Sequence, residues 1–159
     1  QGFEDKRSPQ VFAIQYKRIA INEFKNYDSV LVENGEDFLR QSTDNGPTLT
    51  GFFRSDTLVK IIELIGLSNK VIETEYYLEN NKIFFICVTE RKYKFDKKTQ
   101  TFDLTKFESS FRRSYYFENG KLFDTDVKDK TFLATKQKDS LLFLENCNKY
   151  SLLLKSKKK

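Results

Sequence analysis

Histidine is absent from the sequence, and so are methionine and tryptophan. Without histidine the commonest general base and metal ligand is missing, along with every Ser–His or Cys–His nucleophile. The 6 glycines are scattered, so there is no glycine-rich phosphate loop and no dinucleotide fingerprint. The 2 cysteines, Cys87 and Cys147, are too few and too far apart for a disulfide framework or a zinc site. Cys87 lies in Ile83-Phe84-Phe85-Ile86-Cys87-Val88, the setting of a buried small hydrophobe. A Cys87–Cys147 bridge in an oxidising compartment stays open. Asp124-Thr125-Asp126 lacks the glycine and terminal glutamate of a calcium loop. No apolar run approaches the roughly 20 residues of a transmembrane helix. The expectation is a chain with no cofactor, no metal and no transmembrane segment. Position 1 is glutamine rather than methionine. That points to a processed segment whose signal peptide has been removed, or to a truncated form.

What is present is aromatic and charged. A chain of 159 residues fits one domain with a real core, and 16 Phe and 8 Tyr supply much of it. The net charge is +5, of which Lys155, Lys157, Lys158 and Lys159 carry four. The nearly balanced remainder argues against a broad nucleic-acid footprint, and the lysine run reads as a solvated, frayed end.

One phrase organises the chain: Tyr115-Tyr116-Phe117-Glu118-Asn119-Gly120-Lys121-Leu122. Asn-Gly supplies the two positive-φ residues of a type I′ turn between two apolar strands. The same design occurs as Tyr76-Tyr77-Leu78-Glu79-Asn80-Asn81-Lys82-Ile83, and more loosely as Phe52-Phe53-Arg54-Ser55-Asp56-Thr57-Leu58-Val59. In the last, Asp56-Thr57 stands at the Asn-Gly position. Three hairpins in series predict an antiparallel meander of about six or seven strands.

Ser8-Pro9 predicts a helix start, with Ala13, Ile14, Ala20, Ile21, Phe24 and Tyr27 on one face of a helix over 10–26; a strand at Val11-Phe12-Ala13-Ile14 is the alternative. A strand is expected over 28–33 and a loop at 44–47. Hairpin strands are expected over 48–54 with 58–65, 71–79 with 82–95, and 111–118 with 121–127. The polar segment 96–105 reads as a loop between hairpins. Residues 135–155 favour a helix, with Phe143, Leu144, Cys147, Tyr150 and Leu154 on one wide face; a hairpin of 141–144 with 150–154 is the rival. The result is an α+β domain over 8–155 with both helices packed on one face of the sheet, a mobile 1–7 and a basic tail at 156–159.

Strict alternation puts Ile72, Thr74, Tyr76, Leu78, Ile83, Phe85 and Cys87 on a core face. The other face then carries Glu73, Glu75, Glu79, Lys82, Ile86 and Val88 with an aromatic cluster, Tyr77, Phe84, Tyr116 and Phe123. Either that cluster is a binding face exposed to solvent, or it is a sheet surface that is half solvated or covered by the terminal helix. Two other chemistries remain. Glu73, Glu75 and Glu90 are the nearest carboxylates for acid–base work. Arg91-Lys92-Tyr93-Lys94-Phe95 and Phe111-Arg112-Arg113-Ser114-Tyr115 interleave basic and aromatic residues, as a single-stranded nucleic-acid surface does. An amphipathic strand with one wet face has the same pattern.

The hairpin phrases, with Thr50-Gly51-Phe52-Phe53, Leu58-Val59-Lys60-Ile61 and the continuation Phe84-Phe85, resemble uncharacterised secreted or lipid-anchored proteins of the Bacteroidetes type. The resemblance spans about residues 10–125. It implies an α+β fold and an extracytoplasmic place in the periplasm, outside the cell or anchored at the outer membrane. The family has no assigned activity, so no catalytic residue is implied. The expectation is a non-enzymatic binding module for a protein or envelope component, without nucleic acid. The alternatives are a periplasmic hydrolase using carboxylates and a single-stranded nucleic-acid binder.

Overall fold

The computed structural model describes residues 8–33, 35–39, 45–126 and 133–158, with backbone alone at 36, 45 and 133–139. The expected mobile segment 1–7 lies outside the described residues. Helix α1 spans Pro9–Glu23. The Ser8 Oγ accepts from the Val11 N–H at 3.4 Å, and Pro9 fills a first-turn position whose N–H needs no partner. Seven strands follow: β1 (Asp28–Val32), β2 (Asn45–Arg54), β3 (Thr57–Gly66), β4 (Lys70–Glu79), β5 (Lys82–Asp96), β6 (Thr101–Glu118) and β7 (Lys121–Thr125). Helix α2, Leu133–Lys157, closes the chain. The strands pair in sequence order as one antiparallel sheet, so the fold is the expected α+β meander.

The turns follow from their residues. Asn119 and Gly120 have φ of 50° and 77°, and Asn80 and Asn81 have 51° and 65°, the double positive φ of a I′ hairpin. In the first hairpin Arg54 pairs with Thr57, so its turn is Ser55-Asp56, one residue earlier than expected. Ser55 has φ 57°.

Each of these three hairpins carries a β-bulge at the third residue of its return strand. Lys60 and Leu58 pair with Phe52 and Phe53, passing over Val59. Phe85 and Ile83 pair with Tyr77 and Leu78, passing over Phe84. Asp124 and Leu122 pair with Tyr116 and Phe117, passing over Phe123. A bulge turns two successive side chains to one side and reverses the alternation beyond it. Phe85 and Cys87 therefore share a face with Tyr77, and Ile86 and Val88 share one with Tyr76. That is the opposite of strict alternation.

The two helices cover opposite faces rather than one. Cys147, Tyr150 and Leu154 of α2 pack with Tyr76, Leu78, Ile86, Tyr115 and Phe117. Val11 and Ile14 of α1 pack with Tyr77, Phe85, Cys87 and Tyr116. The reason lies in Tyr76-Tyr77 and Tyr115-Tyr116-Phe117: consecutive large rings point to both faces, and each face needs cover. Gly51 lets α2 come close, since a Cβ there would stand 2.9 Å from the Leu154 Cδ1. Cys87 and Cys147 are free thiols in different clusters, so the open question of a bridge closes against it.

Three further boundaries differ from expectation. The lysine run does not simply fray: α2 extends to Lys157, Lys158 reaches Asp56 at 3.1 Å, and its ammonium lies 4.8 Å from the Phe53 ring centre. Residues 45–47 begin β2, with a register irregularity before Thr48. Most importantly, the loop expected at 96–105 is a turn at 97–100 between two strands. β6 is consequently 18 residues long.

Candidate functional site

Tyr77, Phe84, Tyr116 and Phe123 do form one connected set of rings. Tyr77 lies 6.2 Å from Phe84 and Tyr116 lies 6.4 Å from Phe123. Phe85 joins the pairs, 5.6 Å from Tyr77 and 5.1 Å from Tyr116. The exposure expected of a binding face is missing. Tyr77 and Tyr116 keep 0% and 1% of their surface, because α1, not the terminal helix, lies over them. Its polar residues satisfy both hydroxyls: Gln15 Nε2 donates to the Tyr116 hydroxyl at 2.6 Å, and Asn22 Nδ2 to that of Tyr77 at 3.1 Å. The Arg18 guanidinium lies 5.2 Å from the Phe85 ring centre. Phe84 and Phe123 reach one edge of a groove of about 370 Å³ between α1 and the tips of the β4–β5 and β6–β7 hairpins. Lys17–Glu79 at 3.1 Å and Gln10–Glu118 at 3.1 Å tie the helix to those tips.

The three carboxylates are not gathered. Glu73 and Glu75 lie on the α1 side, while Glu90, paired with Ile72, lies on the α2 side. Glu75 is 3.3 Å from Lys60 and accepts from the Tyr77 hydroxyl at 3.1 Å. Glu73 is 3.5 Å from Arg91. Lys70 hydrogen-bonds to Glu90 and holds its carboxyl below the usual range. Each is neutralised in its own place. Among the described residues no group of three His, Cys, Asp or Glu side chains is placed to hold a metal ion.

The sequence reading missed Glu63. Alternation with Ile61 places it on the α2 side, where it is 7% exposed and accepts a hydrogen bond from the Tyr150 hydroxyl. Burial pushes its carboxyl above the ordinary value, against the smaller opposing effect of that bond. Phe38, Leu39 and Lys149 line the same cleft, of about 530 Å³.

The basic residues split as well. Arg91 pairs with Glu73, and the Arg112 Nε donates to the Cys87 Sγ at 2.9 Å, both on the α1 side. Arg113, opposite Val88, faces α2, and Lys92 and Lys94 are exposed.

A further exposed feature is the far end of β5 and β6. Pairing with β4 stops at Lys92 and pairing with β7 stops at Tyr115, so the two strands run on as a ribbon. Tyr93 is opposite Phe107, and Phe95 is opposite Phe102. Opposed residues share a face, and the rings meet at 5.2 Å in both pairs, the first stacked and the second edge-on. Phe95, Phe102 and Phe107 are 41%, 38% and 50% exposed. Leu104, 55% exposed, sits in the irregular stretch between Asp103 and Phe107. Lys92 and Lys94 alternate onto the other face. The signal was in the sequence: Tyr93-x-Phe95 and Phe102 flank a polar turn.

Comparison with protein-family models, curated proteins and solved structures gives no match.

Two outcomes test these placements. Changing Tyr77→Ser together with Tyr116→Ser removes two buried rings, so stability should fall by at least about 3 kcal/mol, roughly 10 °C in melting temperature. An unchanged melting temperature would return these rings to the surface. Glu63 holds its proton more tightly in the folded chain, so its contribution is complete below the ordinary carboxyl pKa and is lost as pH rises through the folded value. Thermal melts of Glu63→Gln should match the wild type in acid and exceed it at neutral pH. A variant less stable at neutral pH contradicts the placement.

Proposed function

We propose that this chain is a non-enzymatic binding module working outside the cytoplasm, and that it meets its partner through the aromatic face of the β5–β6 ribbon. The observation that carries the reading is the pair of ring contacts Tyr93–Phe107 and Phe95–Phe102, in which Tyr93 is buried while Phe95, Phe102 and Phe107 stay exposed. Three exposed phenylalanines on a two-stranded ribbon contribute nothing to the core. Rigid rings at a surface are the usual anchors of an interface, because they bury much area for few rotatable bonds. The extracytoplasmic location rests on the resemblance of the hairpin phrases to those of secreted and lipid-anchored proteins. The separate neutralisation of Glu73, Glu75 and Glu90 weighs against a carboxylate hydrolase. The division of the arginines between two faces weighs against a nucleic-acid groove.

The test compares the wild type with Phe95→Ser/Phe107→Ser. The variant should elute clearly earlier from a hydrophobic-interaction column while melting within a degree or two of the wild type, as surface changes do. A large loss of stability would place the ribbon in the core. A hydrolase screen that finds an activity abolished by Glu73→Gln or Glu90→Gln would overturn the binding reading.

A further inference from the structure

Resting on that reading, we infer that the ribbon docks on the surface of an anionic lipid bilayer, with Phe95, Phe102, Phe107 and Leu104 entering the interface and the ribbon's lysines meeting the headgroup phosphates. Charge is the first ground. The ribbon, residues 92–109, holds five lysines and three acidic residues, a net +2, while Arg91, Arg112 and Arg113 belong to the covered part of the sheet. Within the near-neutral body the ribbon is therefore a positive arm. Attraction of this kind is what holds basic segments to anionic leaflets.

The second ground is the state of those charges. Lys94, Lys97, Lys98 and Lys106 ring a hollow of about 460 Å³ at the ribbon tip. The two acids there already serve the backbone: Asp96 accepts from the Lys98 N–H at 2.9 Å, and Asp103 from the Thr105 N–H at 2.9 Å. Hydrogen bonds from Thr105, helped by Lys106 and Lys94, keep the Asp103 carboxyl below its usual range. Among the described residues none of the four lysines has a carboxylate within ion-pair distance. The tip thus offers ammonium groups that an external phosphate can take.

The third ground is the layout. A single nucleic-acid strand stacks its bases and loses its phosphate charge in one groove, but here Lys92 and Lys94 alternate away from the paired rings, of which Phe95 alone lines the lysine hollow. At a bilayer that separation is an advantage. The rings enter the interface, and lysine stems reach round a ribbon only two strands wide to the phosphates, as snorkelling side chains do. A second copy of the chain would bring two ribbons of net +2 together, which the charges oppose.

Flotation of the full chain with vesicles decides the matter. The wild type should float with phosphatidylcholine vesicles containing phosphatidylglycerol, not with phosphatidylcholine alone, and should dissociate as salt is raised. Lys94→Gln, Lys97→Gln and Lys98→Gln should each lower partitioning about fivefold, and Phe95→Ser/Phe107→Ser should abolish it. Free glycerol phosphate should not compete, because a soluble headgroup offers the rings nothing. Equal flotation on both vesicle types, flotation on neither, tighter binding to a single-stranded oligonucleotide, or ribbon-dependent dimers in sedimentation would each overturn the inference. Loss of column retention in the phenylalanine variant together with no vesicle binding would retire the bilayer and leave the binding surface standing.

Discussion

Tyr76 and Tyr77 are neighbours on one strand, and both are buried, at 1% and 0% exposure. Side chains alternate across a strand, so two adjacent buried tyrosines oblige the sheet to be covered twice. The rest of the architecture follows from that obligation. α2 supplies Tyr150, 6.0 Å from Tyr76, and α1 supplies Asn22 to the Tyr77 hydroxyl. Burying a ring of this size stabilises the fold by roughly 1.5–3 kcal/mol. Tyr115 and Tyr116 repeat the arrangement on β6, with Phe143 5.1 Å from Tyr115 and Gln15 bonded to Tyr116. The bulges at Phe84 and Phe123 then decide which rings go to which helix. The bulge at Phe84 turns both Phe84 and Phe85 toward α1.

The same constraint defines what is left uncovered. The double layer spans the inner half of β5 and β6 and stops, while the strands continue. Among the described residues no further strand pairs with either edge of the continuing ribbon, and unpaired edges invite pairing with other chains. Lysines along such an edge oppose that pairing. They also concentrate positive charge beside exposed rings, so the feature that keeps the ribbon from associating with itself suits it to an anionic surface. In the hairpin-tip groove Lys17 pairs with Glu79 and Gln10 with Glu118, and in the Glu63 cleft Tyr150 bonds to Glu63 and Lys149 to the Phe38 carbonyl.

Local turn chemistry was legible. Asn119-Gly120 and Asn80-Asn81 demanded positive φ and show it, Ser8-Pro9 started a helix, and the meander order followed from hairpins in series. Packing across the sheet was not legible. A bulge has no residue signature at Phe84 or Phe123, yet one inserted residue reverses every side chain after it. The aromatic cluster was rightly grouped, but its exposure depended on where α1 lies, and α1 has apolar residues on more than one side: Val11 is buried while Phe12 and Tyr16 are 42% and 74% exposed. The ribbon was lost for a different reason. Asp96-Lys97-Lys98-Thr99-Gln100-Thr101 is polar enough to read as a long loop, and the strand after it is mostly exposed, so no buried periodicity marked it.

The central claim is that the molecule divides into a doubly covered sheet centre and an uncovered, solvent-facing ribbon. Amide hydrogen exchange on the isolated chain tests it most directly. Amides over 76–88 and 114–117, closed in by both helices, should exchange slowest, near the limit set by global unfolding. Those over 94–106 should exchange orders of magnitude faster through local opening. Protection of the ribbon equal to that of the sheet centre would contradict the division, and with it the assignment of the ring-bearing face as a surface free to bind.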